Sequence, residues 1–474
     1  MCDSVEFWSS VEYGTFLKGL VRELGAEGEM KEGRSGRDND GSMIGDGESQ
    51  VSGGLKARGG ESGTQGIRNG GEKTDGETCP GRNEGRVEEG NGEQMADGRT
   101  PIAVGGRRLP VADISEPQCA SVVSHNLMSA RQRFAVSESD YRQARGKLAR
   151  LRMRLRCYVG YPSLLHRRIR REAAPAALVV CTNTFYAPWV AMRSARKRGI
   201  PVVHWMFDLY PDVLVLAGKL RPGSLGERWL RRWVRAMFDG AAANVFLGER
   251  LLAYAEAKFG PIPSSIVIPV GCDAAPFAEW SPAERPAGAP VGVLYCGNFG
   301  RMHEVDTVVA VLRGGLPVGV RFDFRGNGAG FQTLATATAG LGLGEQLRLG
   351  GSLPEREWLD AMAAADVALV TMKRGAEGIV MPSKTYSAMA AGQAILAVAP
   401  RESDLSDLVA AHDCGWVVEP GDVAGLRSVL DLLALRGADV LAKRRNAWRA
   451  ARECYDQRLL AGRWREVLRG CAKP

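Results

Sequence analysis

Short apolar runs that do not alternate with polar residues recur from residue 176 onward, each bounded by helical stretches or by glycine and proline. Leu178-Val179-Val180-Cys181 is the first, and Ile200 to Val203, Ala242 to Leu247 and Ser265 to Pro269 continue the series. A strand without alternation is apolar on both faces, so both faces must be covered, as in a parallel sheet wrapped by crossover helices. After a Pro/Ala-rich linker from Ser281 to Pro290 the pattern restarts at Val291 to Cys296. Further strands are read at Arg321 to Gly326 and Gln346 to Leu349, which alternate, and at Val367 to Val370, Ala394 to Val398 and Gly415 to Val418. Two successive doubly wound α/β sheets joined by a linker are predicted. Ligands of such folds sit at the carboxyl ends of the strands, which is where chemistry-bearing residues should lie.

Composition sets the limits of this pattern. Glycine is over-represented, with 59 residues in 474, and much of the excess lies between about Glu27 and Arg99. That tract has no aromatic and few aliphatic residues, so it cannot bury enough apolar surface to offset its ordering entropy and reads as disordered. The net charge of +8 suits an anionic partner. Ten cysteines are scattered singly, without a C-x-x-C pair or a spacing shared with the five histidines, which argues against a disulfide framework or structural zinc. No window reaches the roughly 18 consecutive apolar residues of a membrane span, and no secretory signal opens the chain. A reducing, cytoplasmic setting is expected.

Three segments carry chemistry. Gly297-Asn298-Phe299-Gly300-Arg301 follows a buried strand and precedes a helix. Its glycines let backbone approach a ligand, and free N–H groups beside an arginine suit a diphosphate; an ordinary strand-to-helix turn is the plainer reading. Arg325-Gly326-Asn327-Gly328-Ala329-Gly330 lacks the G-x-G-x-x-G spacing and reads as a tight turn first, a backbone contact to nucleotide second. Gly378 to Lys384 leads into a helix starting near Thr385, with Ser383 as expected N-cap and Pro382 before it. A lysine in the first turn opposes the helix dipole, so an anion shared between Lys384 and the free N–H groups is one reading and a solvated surface lysine the other.

These segments, with Ala364-Ala365-Asp366-Val367, Pro382-Ser383-Lys384-Thr385-Tyr386 and Ala390-Ala391-Gly392, stand in the order found in family 4 glycosyltransferases. Asp208-Leu209-Tyr210-Pro211-Asp212 and Ile268 to Asp273 match upstream. The chain resembles most the subgroup that builds colanic acid, O-antigen and related capsule polysaccharides, over about Ala176 to Gly470. The resemblance implies a GT-B fold: two Rossmann-like domains facing across a cleft, the second holding a nucleotide-diphosphate sugar. It implies retaining transfer with no cofactor and no obligatory metal. Arg301 and Lys384 would stabilise the leaving diphosphate. Gly297, Asn298, Gly300, Gly328, Pro382, Ser383 and Ser387 would line the donor site. Many relatives carry at the position of Ser387 a glutamate that binds the ribose hydroxyls, and a lysine after the arginine of the first glycine loop. Here His303 and Glu304 lie near that second position.

Asp208 ends an apolar strand and is a candidate for acceptor contact or base work, or else a turn carboxylate; His204, within the strand, is a candidate acceptor contact or a core histidine. Leu225, Trp229, Leu230, Trp233, Val234, Met237 and Phe238 recur at helical spacing opposite Arg228, Arg231, Arg232 and Arg235, and a second basic stretch runs from Arg142 to Arg171. Such helices fit either an anionic membrane surface with a lipid-linked glycan acceptor or a core helix with a solvated basic face. No nucleic-acid-binding motif appears.

The expected organisation is a short segment at 1–25 with one helix from Tyr13 to Leu24, a disordered tract at 26–99, an acceptor domain at 100–280 and a donor domain at 291–474. No clear first βαβ unit precedes Leu178, which leaves three readings: a reduced first domain, one assembled in part from Thr100 to Val123, or a non-native start. The leading functional expectation is a glycosyltransferase peripheral to the inner membrane face. The rivals are a catalytically degenerate relative that binds nucleotide sugar or a partner enzyme, and a UDP-sugar 2-epimerase.

Overall fold

The computed structural model describes residues 4–11, 20, 22–24, 129–136 and 146–471, apart from 183, 287, 436 and 437. The tract at 26–99 and the segment at 100–123 lie outside the described residues.

The first sheet is parallel and six-stranded, in the order β2-β1-β3-β4-β5-β6. Its strands are β1 (Ser4–Val11), β2 (Ser129–Val136), β3 (Ala177–Cys181), β4 (Val202–Trp205), β5 (Ala243–Phe246) and β6 (Ser265–Val267). β1 pairs with both β2 and β3, Val5 lying opposite Ala130 and Ala177. Two strands among the described residues thus precede Leu178, where no clear first βαβ unit was expected: the segment at 4–11 is the second strand from the sheet's edge. The expected helix survives in part, since residues 20 and 22–24 are helical. Ser4–Val11 carries too few aliphatic residues to announce a doubly buried strand, and its parallel partners are remote in sequence.

The helices of this half are α1 (Lys147–Leu155), α2 (Tyr161–Arg171), α3 (Ala187–Ala195), α4 (Asp212–Leu216), α5 (Leu225–Gly240) and α6 (Glu249–Phe259). α5 begins where Ser224 accepts a hydrogen bond from the Glu227 N–H, and Glu227 reaches back to the Gly223 N–H and to Arg231. Its inner stripe, Val234, Met237 and Phe238, is buried.

The second sheet runs β12-β11-β10-β7-β8-β9, all parallel. It comprises β7 (Val291–Asn298), β8 (Val320–Asn327), β9 (Leu347–Gly350), β10 (Val367–Thr371), β11 (Ala394–Val398) and β12 (Gly415–Val418). Its helices are α7 (Asp306–Arg313), α8 (Ala329–Thr338), α9 (Glu355–Ala364), α10 (Lys384–Ala390), α11 (Asp404–Ala411), α12 (Val423–Ala434), α13 (Ala438–Cys454) and α14 (Gln457–Cys471). Counted within this sheet the order is that of a dinucleotide-binding domain, and its direction of winding reverses between β7 and β10. β10 and β11 are buried at every residue, as their uninterrupted apolar runs require. Asp366 is structural: its carboxylate accepts from the Gly292 N–H and pairs with Arg285 and Arg444.

Several contacts join the halves, two of them made by α11 and α14. Asp404 at the start of α11 accepts from the N–H groups of Arg250 and Leu251, capping α6 of the first half, while Arg250 pairs with Asp407. α14 crosses back to the first sheet, where Trp464 meets Trp205 edge-on at 4.6 Å between centroids, both fully buried.

Candidate active site

The reversal point between β7 and β10 is where the predicted residues gather. β7 runs out at Gly297 and Asn298, which face Gly326 and Asn327 of β8 in register. The two glycine turns then pack backbone on backbone. The Phe299 N–H donates to the Asn327 carbonyl at 2.7 Å, and the Gly330 N–H to the Phe299 carbonyl at 2.8 Å. Gly326 (φ 148°) could carry no side chain, because a Cβ there would lie 1.9 Å from the Gly297 carbonyl oxygen. Gly328 (φ 116°) would place one 2.5 Å from both the Asn298 side-chain oxygen and the Phe299 carbonyl. The Arg325 to Gly330 segment is thus the tight turn it was expected to be, and it supports the first glycine loop from below. Asn298 and Arg301 are exposed and Gly300 half-buried at that surface. Among the described residues nothing holds the Arg301 guanidinium by hydrogen bond or ion pair.

The loop beyond Arg301 is pinned to the end of β10: the Lys373 N–H donates to the Met302 carbonyl, and His303 Nδ1 bonds to the Thr371 carbonyl at 2.8 Å. Burial, and secondarily the Lys384 cation, lower the His303 pKa to about 3, so its ring is neutral.

Lys384 opens α10, one residue earlier than expected. Ser383 occupies the N-cap position, but its backbone is helical (φ −61°, ψ −26°) and its side chain makes no capping bond. That expectation is corrected: Thr385 Oγ1 instead closes the turn by donating to the Pro382 carbonyl at 2.8 Å, which leaves the Ser383 hydroxyl exposed. Nor is Lys384 a solvated surface lysine. Its ammonium folds back over Tyr295 of β7, 3.9 Å from the ring centroid, and donates to the Tyr295 hydroxyl at 2.5 Å. The same hydroxyl donates to the Asn298 carbonyl at 3.0 Å. Tyr295 therefore ties the lysine segment to the first glycine loop. Lys384 keeps some exposed area, yet loss of hydration around its ammonium pulls its pKa down to about 7, and no carboxylate among the described residues offsets this.

Ser387, one turn on, is half-buried and lines a cleft of about 400 Å³, counting the space open to solvent, with Lys384, Cys296, Trp358 and Gln393. Gln393 is fully buried; its amide nitrogen donates to the Met362 carbonyl at 2.6 Å, and its amide oxygen has no partner among the described residues.

Asp208 stands at the carboxyl end of the first sheet, just past β4. Its N–H and that of Phe207 both donate to Thr182 Oγ1. Burial raises its pKa to about 6, which puts its proton transfer within the neutral range. The next residue hydrogen-bonds across to the second half, Leu209 N–H to the Ile379 carbonyl at 3.2 Å. Asp208 is thereby held against the loop that leads into Pro382, Ser383 and Lys384. His204 is not part of this site. Its ring is enclosed in the sheet core, Nδ1 bonded to Asn244 at 3.2 Å, and burial lowers its pKa to about 4. The acceptor contact expected of it is corrected: an apolar strand buried on both faces leaves its side chains no route to the cleft.

Sequence reasoning passed over Tyr295, Gln393 and Trp358, and noted His303 only as a neighbour. A tyrosine closing an otherwise aliphatic strand was the available signal for the first; the others are assembled by packing.

Comparison with known proteins agrees with this geometry. Residues 122–275 match the family described as Glycosyltransferase Family 4, and residues 277–453 match Glycosyl transferases group 1. The two matches fall in succession on the two halves of the chain, whose fold is of the GT-B type. It is 30% identical over 249 residues to the probable glycosyltransferase WbjE of Pseudomonas aeruginosa, across 49% of this chain and 60% of that protein. The chain thus spans less than two thirds of that relative's length. Among solved structures, HepE of Anabaena in complex with UDP-glucose superposes with a TM-score of 0.52 at 14% identity, over 72% of this chain and 86% of that one. Sucrose-phosphate synthase of Thermosynechococcus elongatus gives 0.55 at 17%, over 74% and 86%. Likeness at that identity speaks to the fold.

Proposed function

We propose that the chain is a retaining glycosyltransferase that moves a sugar from a nucleotide-diphosphate sugar to a lipid-linked glycan, in the biosynthesis of a cell-surface polysaccharide. The observation that carries the reading is the convergence, at one sheet's reversal point, of two glycine turns with an arginine that has no ion pair and a lysine that has no carboxylate partner among the described residues. Such a site is short of negative charge, and a diphosphate supplies it. The naming of UDP and UDP-glucose in the HepE complexes favours a uridine donor.

In the proposed reaction the bond from the sugar's anomeric carbon to the diphosphate breaks, and the acceptor oxygen bonds to the same face of that carbon. Its proton passes to the departing diphosphate, with no obligatory metal and no cofactor. Arg301 and Lys384 take up the charge that develops on the leaving group. Ser387 donates to a ribose hydroxyl, more weakly than a carboxylate would accept from one. Asp208 orients the acceptor hydroxyl. The acceptor's lipid places the protein on the inner face of an anionic membrane, an assignment supported by the arginine-flanked α5; no helix among the described residues is long and apolar enough to cross one.

Ser387 favours a second reading, a degenerate relative that binds nucleotide sugar without transfer. Transfer of radiolabelled sugar from a panel of nucleotide sugars to membrane lipid extract separates the two. The first predicts product with the wild type and none with Lys384→Ala. UDP binding by a wild type that yields no product from any donor would leave the second.

A further inference from the structure

The first glycine loop ends on an imidazole whose hydrogen-bonding capacity a diphosphate does not use. His303 follows Arg301 by two residues, and the chain around it is fixed. Its N–H donates to the Gly300 carbonyl at 3.3 Å, the Met302 carbonyl accepts from the Lys373 N–H, and Glu304 accepts from the Thr307 N–H at 2.9 Å in the first turn of α7. The ring stands edge-on to Tyr295 and Phe299, with centroids 6.0 and 5.7 Å away.

These contacts place the ring proton. Nδ1 lies 2.8 Å from the Thr371 carbonyl oxygen, with Thr371 Oγ1 a further neighbour at 3.4 Å. A carbonyl oxygen only accepts, so Nδ1 carries the hydrogen. Burial, and secondarily the Lys384 cation, keep the ring neutral, so Nε2 is a bare lone pair. It makes no hydrogen bond among the described residues, and on this half-buried ring it is not sealed in the core as Nε2 of His204 is.

A lone pair in an otherwise cationic site selects what can lie beside it. Diphosphate oxygens are acceptors too and are repelled by it; they belong with Arg301, Lys384 and the N–H groups of the glycine loop. The group that faces Nε2 must bring an O–H or N–H. A nucleotide sugar has such groups on its nucleoside and on its sugar, and the second sheet separates the two positions. Ser387, Cys296 and Trp358 line the cleft on the face that packs with Leu294, whereas His303 lies against Tyr295 and Phe299, whose rings belong to the core of the opposite face. Lys384 stands between them, lining the cleft and resting on the Tyr295 ring. With the nucleoside at Ser387 and the diphosphate at Lys384, the transferred sugar falls on the His303 side.

We propose that His303 determines specificity for the sugar: its Nε2 accepts a hydrogen bond from one hydroxyl of the transferred residue, so that a sugar lacking that hydroxyl is disfavoured. The assignment rests on the donor reading given above, with the nucleoside at Ser387, and deepens it.

The test follows the histidine ring nitrogens of the isotope-labelled full chain by NMR at neutral pH, the five histidines being told apart with His303→Phe. In the free protein the two-bond hydrogen–nitrogen pattern should show Nδ1 protonated and Nε2 bare. UDP should leave the Nε2 signal near its free position, and UDP-glucose should shift it in the direction of an accepted hydrogen bond. In titrations, His303→Phe, which keeps the ring area, should bind UDP within about twofold of wild type and UDP-glucose about tenfold more weakly. Among the monodeoxy forms of UDP-glucose, one should lose about tenfold in wild type and nothing further in the variant, which identifies the hydroxyl. An Nε2–H tautomer in the free protein would overturn the proposal whatever the nucleotides do. So would an Nε2 shift with UDP as large as with UDP-glucose, or equal weakening of both nucleotides in the variant. A wild type that binds neither nucleotide refutes the donor reading itself; binding of both with no difference at Nε2 refutes only the role of His303.

Discussion

Donor binding should draw a proton from solution, and Lys384 sets how much. Among the described residues the close partners of the ammonium are the Tyr295 ring and hydroxyl, and burial lowers its pKa from 10.5 to about 7. At pH 7 it is therefore about half charged. A diphosphate placed beside it returns the pKa to its ordinary range or above, so the complex holds the full proton. The sign follows directly: a cation whose free-state pKa is depressed gains a proton when an anion arrives. The uptake is about 0.5 proton at pH 7, about 0.9 at pH 8 and about 0.1 at pH 6. The titratable neighbours are His303, held neutral with a pKa of about 3, and the Cys296 thiol. Isothermal titration of UDP-glucose in buffers of different ionisation enthalpy measures the uptake as the slope of observed enthalpy against buffer enthalpy. UDP-glucose suits the purpose because its diphosphate is a diester that does not titrate near neutrality. Lys384→Met should remove the pH dependence of that slope. A wild-type slope of zero at pH 8, or one unaltered by Lys384→Met, would refute the reasoning.

Four further outcomes are expected. Asp208 titrates near 6, so the rate of transfer should rise as pH passes upward through about 6 and level off; Asp208→Asn should lower the rate and flatten that limb, read from a pH–rate profile. Gly326→Ala forces a Cβ onto the Gly297 carbonyl at a positive φ and should destabilise the fold by more than about 2 kcal/mol, measured by urea denaturation, with loss of UDP binding. Trp464→Ala empties the fully buried contact with Trp205 and should cost about 3–5 kcal/mol in the same assay. Tyr295→Phe keeps the ring under Lys384 but removes the hydroxyl that joins it to the Asn298 carbonyl, and should weaken UDP-glucose binding by about tenfold with little change in melting temperature.

The central strands β3, β4, β5, β10 and β11 were readable from the chain because they are buried on both faces. Val367 to Thr371 and Ala394 to Val398 could satisfy such runs only inside a parallel sheet, and their boundaries fall within a residue of expectation. The glycine turns at 297–301 and 325–330 were equally legible, since positive φ and close backbone approach demand glycine wherever they occur. β1 was not, because a strand at 4–11 whose partners begin at residues 129 and 177 is specified by pairing rather than by its own pattern.

The lysine shows the division most clearly. That residue 384 is a cation at the start of a helix and against its dipole was written in the local sequence, and so was the expectation of an anion near it. That its ammonium rests on Tyr295, is linked through it to the first glycine loop, and has lost much of its charge at neutral pH was decided by the packing of α10 against β7. Likewise Asp208 could be named from its strand, but its place beside the loop that leads into Lys384 depends on a tertiary contact, the Leu209 to Ile379 hydrogen bond. Periodicity and backbone conformation are local properties and are carried by neighbouring residues; solvation and juxtaposition depend on groups distant in sequence, and exist only once the chain has closed on itself.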